Sequence, residues 1–265
     1  MEGIIPDLPN KEYHAMTDVV SNSYLSRLST VPAAARIPDV DSEEKLVGRA
    51  FHCLMLDTKE TFDSLFAIIP DINLRITDGK KELEVFRFFN KGKDLLTINQ
   101  YNYILEMMNA VVKHPTACVL LTQGISEQSI FWTDEGTGLP CKCRPDRIPD
   151  GDNGVILCLK STRNAGKQSF TNAVVNFGYH TEAAFYLDGY NIASGKKADS
   201  FIFIAVEKKP PFRTEVYVLD DDFVGVGRMQ YRRLLHIEKA CREGGYWPHF
   251  LTSDIQELSC PNWVR

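Results

Sequence analysis

Arg144-Pro145-Asp146 and, after a turn, Val155-Ile156-Leu157-Cys158-Leu159-Lys160-Ser161-Thr162 are the two segments that decide the fold. The second begins with a run of apolar residues that predicts a buried strand. An acid at the end of one strand and a lysine at the end of the next can converge on a single phosphate, where the acid holds a divalent metal ion. The two segments therefore predict a sheet that carries a metal site.

The overall charge limits the classes of partner. The net charge of −5 argues against a protein that coats nucleic acid non-specifically, and the 44% of hydrophobic residues support a sizeable core. A local basic track is compatible with this charge, although each basic residue taken alone is more often ordinary solvated surface. The candidates for such a track are Arg144, Lys160, Arg163, Lys167, Lys196 and Lys197.

Neither a membrane span nor secretion is expected. No apolar run approaches the length of a membrane-crossing helix, and residues 1–6 lack a basic segment followed by an apolar one. The seven cysteines are scattered, which favours reduced thiols over a disulfide framework. Cys141 and Cys143 are two apart on one predicted strand, so core packing is favoured over an iron–sulfur cluster.

The order of predicted elements indicates an α/β fold in a single domain spanning 1–265. A mainly helical region, 1–122, precedes an α/β core at 123–245 and a tail at 246–265. Helices are predicted at 21–28, 42–56, 81–89, 99–113, 177–190 and 220–241, and strands at 128–132, 141–148, 154–159, 200–206 and 214–219. Turns are predicted at 77–79 and 149–154.

Five motifs in order carry a resemblance to a known family. They are GRAFHCLML at 48–56, HP at 114–115, CRPD at 143–146, LKST at 159–162 and YHTEAAFYLDGY at 179–190. Together they resemble the nuclease domain of exonuclease VIII, the RecE-type enzyme of prophages and a member of the PD-(D/E)xK superfamily. The resemblance runs from about residue 10 to about residue 245. It implies a PD-(D/E)xK core, in which helices flank a mixed central sheet.

The resemblance also implies an activity and partners. Family members digest one strand of duplex DNA from the 5′ end with Mg²⁺ or Mn²⁺, and they leave a 3′ strand for a RecT-like single-strand annealing protein. They form closed homo-oligomeric rings that thread DNA, so a trimer or tetramer is expected. A phage or prophage origin implies the cytoplasm of a bacterial host.

The resemblance assigns roles to individual residues. His52 and Asp146 match metal ligands, and the Leu159 carbonyl would be a third. Lys160 matches the catalytic lysine. Glu127 resembles an acid that binds metal or water in related exonucleases, with a solvated charge at the start of the first core strand as the equal alternative.

Two positions depart from the family pattern. Cys158 occupies a slot that holds a carboxylate metal ligand in the family, and a thiol holds Mg²⁺ weakly. Glu182 stands where the family has glutamine, four residues before a retained tyrosine, Tyr186, and both would shape the site for the DNA end. Glu182 is a candidate to replace the missing carboxylate.

The remaining candidates contact DNA, and three functions stay open. The expected DNA-binding residues are Arg144, Ser161, Thr162, Arg163 and Lys167, of which Ser161 and Thr162 serve equally well as helix or turn caps. The first function is an exonuclease weakened by Cys158. The second is a catalytically impaired protein that binds DNA ends or a recombination partner. The third is a ring-forming scaffold without DNA contact.

Overall fold

The computed structural model describes residues 2–38, 40–73, 75–149, 154–250, 252 and 254–260. Most of the predicted turn at 149–154 and part of the predicted tail at 246–265 therefore lie outside the described residues.

The described chain contains both helices and strands. The helices are α1 Asn10–Ala15, α2 Asn22–Thr30, α3 Glu43–Leu56, α4 Lys59–Leu65, α5 Thr77–Phe89, α6 Ile98–Lys113, α7 Pro115–Thr122, α8 Lys167–Asn176, α9 Tyr179–Ser194 and α10 Asp221–Gly244, with a 3₁₀ turn at Pro32–Arg36. The strands are β1 Gly3–Ile5, β2 Val20–Ser21, β3 Phe66–Ile69, β4 Asp94–Thr97, β5 Ile125–Ser126, β6 Ser129–Thr133, β7 Pro140–Cys143, β8 Arg147–Ile148, β9 Val155–Thr162, β10 Ser200–Glu207 and β11 Thr214–Val218.

The central sheet has five strands in the order β11-β10-β9-β8-β5. Strands β9 and β10 pair in parallel along eight residues each, and their neighbours are antiparallel, so the sheet is mixed. Side chains alternate across β9, which explains why Cys158 and Leu159 belong to separate apolar clusters on opposite faces. A strand buried on both faces reads as a continuous apolar run, and this is the pattern at 155–159.

A second sheet is built by the hairpin that leads into the first. Its order is β1-β6-β7-β2, and β6 pairs with β7 while β5 pairs with β8. The two arms of the hairpin thus leave one sheet and enter the other. The prediction of one continuous strand at 141–148 is wrong, because Arg144-Pro145-Asp146 separates β7 from β8. Proline lacks the N–H that a continuous ladder needs.

Helices cover both faces of the central sheet. Helix α9 packs against one face and α10 packs on α9, whereas α3 and α6 belong to the cluster on the other face. Side-chain caps mark the start of α3 and of α10. The Ser42 side chain accepts from the Lys45 N–H at 3.3 Å, and the Asp220 carboxylate accepts from the Phe223 N–H at 2.9 Å. The predicted mixed α/β fold is confirmed.

One predicted turn is helix instead. Thr77-Asp78-Gly79 forms the first turn of α5, where an acid is favourable near the helix N-terminus. Gly79 is buried, and a side chain there would overlap the backbone carbonyl of Asn73. The glycine at this position serves close packing and not a chain reversal. Helices α1, α4, α7 and α8 were not predicted.

Among the described residues, no single helix has the length and apolar character needed to cross a membrane. Helices α6 and α7, which meet at 97°, meet those two criteria only when they are taken together.

Two glycines on α10 provide a matched test of the packing between α9 and α10. A methyl group on Gly227 would overlap the backbone carbonyl of His180, whereas one on Gly225 would meet no atom within 4 Å. We expect Gly227→Ala to lower the free energy of unfolding by about 1–3 kcal/mol or more, as overpacking does. Gly225→Ala should leave it unchanged or raise it by up to about 1 kcal/mol, because alanine favours helix. Urea unfolding of both variants checks this; equal effects would contradict the packing described.

Candidate active site

A cleft of about 1130 Å³ opens beside the carboxyl end of β9. Its walls come from α1, α2, α3 and α9 and from the bends of the hairpin that joins the two sheets. Of the residues with a predicted catalytic or metal-binding role, six line this cleft and two, Cys158 and Leu159, do not. The six are His52, Glu127, Asp146, Lys160, Glu182 and Tyr186. Residues from five separate segments of the chain therefore meet in one cavity.

The two acids nearest its floor lie at the bends of the hairpin. Glu127 follows β5 and Asp146 precedes β8, and the Glu127 N–H donates to the Asp146 carbonyl at 3.3 Å. Glu127 has a φ of 52°, in the left-handed region that non-glycine residues rarely adopt. The sequence interpretation placed Glu127 at the start of a strand, but the residue lies between two strands. Its backbone conformation turns the carboxylate towards Asp146, at a cost of about 1 kcal/mol or more.

His52, Glu127 and Asp146 form a group with metal-ligand geometry. One ligand atom from each lies within 4.8 Å of the other two. The His52 Nδ1 atom is 3.5 Å from Asp146 Oδ1, and the Leu159 N–H donates to Asp146 Oδ2 at 2.6 Å. Asp146 is thus fixed by β9 on one side and faces α3 on the other. One nitrogen and two carboxylate oxygens suit a divalent cation such as Mn²⁺ or Mg²⁺.

The pKa values of all three side chains in this group are shifted by burial and by one another. Burial and the neighbouring Asp146 carboxylate raise the pKa of Glu127 to about 8. Burial opposes protonation of His52, but Asp146 outweighs it, so the His52 pKa is raised. Burial would raise the pKa of Asp146, yet His52 and Lys160 hold it below its usual value. A bound cation would remove the need for protons on Glu127 and His52, and in this respect the residues fit a metal site.

Lys160 is held by an ion pair across the cleft. Its Nζ lies 2.7 Å from Glu182 Oε1, and both side chains are largely buried. The ammonium also lies 4.8 Å from the centroid of the Tyr179 ring, and the Asn22 amide approaches Glu182 Oε2 at 3.5 Å. Burial would lower the pKa of Lys160, but Glu182 outweighs it and the pKa is raised. Lys160 therefore stays protonated and acts as a fixed positive charge.

Cys158 lies two residues before Lys160 on the same face of β9. Its thiol is fully buried, and burial raises its pKa well above the usual range. A neutral thiol brings no negative charge to the site and is a poor ligand for a hard cation. Cys158 also lies outside the group formed by His52, Glu127 and Asp146. The position supplies packing against α9.

Comparison with known proteins agrees with this geometry. The sequence matches the family described as a PDDEXK-like domain of unknown function (DUF3799) over residues 34–253. The chain belongs to this PDDEXK-like family. Because PDDEXK nucleases are metal-dependent, membership supports a metal-dependent nuclease. The group at His52, Glu127 and Asp146 is a possible site for the metal. The metal itself is not identified by the family.

A solved structure shares the fold. A crystal structure described as a "Putative exonuclease" from Eubacterium rectale matches with a TM-score of 0.60 and 15% identity, over 94% of this chain and 96% of that one. At this identity the likeness concerns the fold alone. The structure of SSO0001, with a TM-score of 0.32, 16% identity, and 73% and 85% coverage, is too distant to support an argument. The search of curated proteins found no match.

The predicted DNA-binding residues lie in three places. Arg144 lines the cleft, but its guanidinium already donates to Ser129 Oγ and to the Leu8 carbonyl, so it braces the wall. Ser161 faces a smaller cavity of about 340 Å³ between α3 and α6. Thr162, Arg163 and Lys167 lie beyond the cleft, at the end of β9 and the start of α8. Contacts with DNA stay a prediction for all five.

Three residues of the site were not predicted from the sequence. Asn22, at the start of α2, approaches Glu182, and Tyr179 contributes its ring beside Lys160. Asp57, which follows α3, lines the cleft, and burial raises its pKa. Tyr179 opens one of the five motifs and could have been found there. No local signal marks Asn22 or Asp57, because only the tertiary path brings them to the cleft.

The raised pKa of Glu127 predicts how stability depends on pH. In the unfolded chain this carboxyl ionises near pH 4.5, but in the fold it ionises near 8, so the fold holds the proton more tightly. Stability from this group is therefore complete below about pH 4.5 and is lost as the pH rises towards 8. In the absence of divalent metal, the melting temperature should fall over this range in the wild type more than in Glu127→Gln.

A divalent metal ion should restore the stability that is lost as the pH rises. Adding Mn²⁺ at pH 8 should raise the melting temperature of the wild type by several degrees and that of Glu127→Gln by much less. Parallel pH profiles for the two proteins, with equal responses to Mn²⁺, would show that Glu127 is not the buried acid described here.

Proposed function

We propose that the protein is a metal-dependent exonuclease that digests one strand of linear duplex DNA from the 5′ end. The observation that carries the proposal is the convergence of His52, Glu127 and Asp146 on one point, in a cleft that also holds Lys160. This combination has an evident use in phosphodiester hydrolysis, whereas a protein that only binds DNA has no need of it. The polarity and the duplex substrate rest on the resemblance to exonuclease VIII.

Each residue has a role in this proposal. His52, Glu127 and Asp146 would hold the cation, and a bound cation supplies a Lewis acid that activates water and neutralises charge on the phosphate. Lys160, kept protonated by Glu182, donates to a phosphate oxygen and does not take up a proton. Tyr186, four residues after Glu182 on α9, lines the cleft where the DNA end would lie. The imidazole ligand favours Mn²⁺ over Mg²⁺.

Glu182 compensates for Cys158 in this proposal. The strand lacks a carboxylate at position 158, and the helix provides one at position 182. The ion pair of 2.7 Å between Glu182 and Lys160 shows that the helix reaches the face of β9 on which Cys158 lies. The carboxylate thus restores the negative charge that a divalent cation and a protonated lysine both need nearby.

The proposal also includes the setting. A homo-oligomeric ring, a trimer or a tetramer, would keep the chain on DNA without strong affinity, which suits its net charge of −5. A RecT-like single-strand annealing protein is the proposed partner, in the cytoplasm of a phage-bearing bacterium.

One observation favours a second function. The neutral thiol of Cys158 removes a ligand that the resembled family uses, and this favours a protein that holds DNA ends without cutting them. The two functions differ in one readout, the release of labelled nucleotide.

An end-labelled linear duplex tests the proposal. With Mn²⁺, and more slowly with Mg²⁺, the wild type should release the 5′ label from a linear duplex and leave a closed circle intact. Asp146→Asn should abolish release because a buried ligand charge is lost. Binding of the duplex without release in either metal would support the second function and overturn the first.

Restoring the acid at position 158 should increase activity. We expect Cys158→Asp to raise the Mg²⁺-dependent rate at least about tenfold, the lower end of the range for supporting interactions around a metal. Cys158→Ser, of similar size and without charge, is the matched control and should bring no gain. An unchanged rate in Cys158→Asp would mean that this position does not face the metal.

Removing the charge at position 182 should have the opposite effect. Glu182→Gln keeps the shape and the contact with Asn22 but leaves Lys160 without its partner, so metal affinity and rate should both fall by about tenfold or more. The double variant with Cys158→Asp should recover more than the sum of the single effects, because the two carboxylates serve one site. Undiminished metal affinity in Glu182→Gln would contradict the compensation.

A further inference from the structure

The second half of helix α5 exposes aromatic side chains to solvent. Val85, Phe88 and Phe89 share one helix face, and their exposed fractions are 55%, 75% and 78%, respectively. The two phenylalanine rings meet edge to face, with centroids 5.6 Å apart. Together with the exposed Arg87 and Lys91, these residues form what we call the α5 surface. Two adjacent exposed phenylalanines on a helix indicate a binding surface.

Helix α5 leads directly into a wall of the cleft. At its start, Gly79 packs against the backbone of Asn73. At its end, the Asn90 side chain donates to the Phe86 carbonyl at 2.9 Å. Gly92 and Asp94 follow at once and line the same cleft as Lys160, and Arg49 binds Asp94 at 2.8 Å. A ligand on the α5 surface would therefore lie at the mouth of the cleft.

The charge of this segment differs from that of the whole chain. Residues 85–93 contain the basic residues Arg87, Lys91 and Lys93 and no acid, whereas the chain carries −5. The complementary ligand is an anion with flat apolar faces. A single strand of nucleic acid has both features, because its unpaired bases stack on aromatic rings and its phosphates attract basic side chains. A paired duplex hides its base faces, so a single strand suits these rings better than a duplex does.

We propose that the α5 surface binds an unpaired DNA strand at the mouth of the cleft, with bases stacked on Phe88 and Phe89. Arg87 and Lys91 bind the phosphates of the same strand. The inference rests on the proposed nuclease function, since an enzyme that digests one strand from an end must separate the terminal pairs. The α5 surface holds the separated bases while the other wall of the cleft holds the reacting phosphate.

Binding without divalent metal tests this inference separately from cleavage. A fluorescent single strand and a matched blunt duplex are titrated in EDTA with the wild type and three double variants, in which Phe88 and Phe89 are both replaced by alanine, leucine or tyrosine. Alanine and leucine should each lower the affinity for the single strand by at least about tenfold, because two stacked bases are lost. Tyrosine should retain affinity, and affinity for the blunt duplex should change less than for the single strand.

Controls separate stacking from folding and assembly. Met229→Ala, at an exposed apolar position on α10, should bind as the wild type does. Melting temperatures of all variants should be unchanged, because Phe88 and Phe89 are exposed. Retained affinity in the alanine variant, or in the leucine variant alone, would overturn the stacking proposal. A change of oligomer size in the alanine variant would also overturn it, by assigning the surface to a contact between copies.

The cleavage assay distinguishes the two proposals. If the wild type releases label with metal but the alanine variant binds single strands normally, the nuclease proposal is supported and the α5 proposal is wrong. Stacking on α5 without release of label would do the reverse.

Discussion

The arrangement of charges at the floor of the cleft is the constraint on which the rest of the site depends. Three carboxylates, one imidazole and one ammonium group share a partly buried space, and charged groups there need partners. Asp146 has His52, and Glu182 has Lys160. Glu127 makes no ion pair with any residue in the part of the chain that the structure describes, and burial and Asp146 raise its pKa to about 8 despite His52 and Arg144 nearby. A divalent cation beside Glu127 and Asp146 would complete the balance.

The fold produces this arrangement by bending one hairpin between two sheets. Each arm supplies an acid at the point where it leaves a sheet, and a backbone hydrogen bond joins the two bends. The parallel pair β9–β10 then fixes Lys160 beside them, because a strand buried on both faces has a firmly specified register. Helix α9 crosses the face of β9 and delivers Glu182. Secondary structure thus holds the charges in place before any ligand binds.

The sequence predicted the parts of this site that depend on local patterns. Serine and aspartate caps and apolar periodicity located α3 and α10, and the run at 155–159 located β9. The motifs named His52, Asp146 and Lys160, which line one cleft. The left-handed backbone of Glu127 could not be predicted, because it follows from the passage of the hairpin between sheets. The pairing of Lys160 with Glu182 depends on how α9 crosses β9, and the spacing of residues along the chain does not determine that crossing.

The residues at positions 158 and 182 distinguish this protein from the family that it resembles. A thiol on the strand and a carboxylate on the helix stand where the resemblance predicts an aspartate and a glutamine, while His52, Glu127 and Asp146 lie together as a candidate metal group. The central claim is that this group binds a divalent cation. The most direct measurement is the anomalous diffraction of crystals soaked in Mn²⁺. The account predicts a single strong peak between His52, Glu127 and Asp146 that disappears in Asp146→Asn. Well-ordered crystals with no peak there, or with Mn²⁺ bound elsewhere in the cleft, would contradict it.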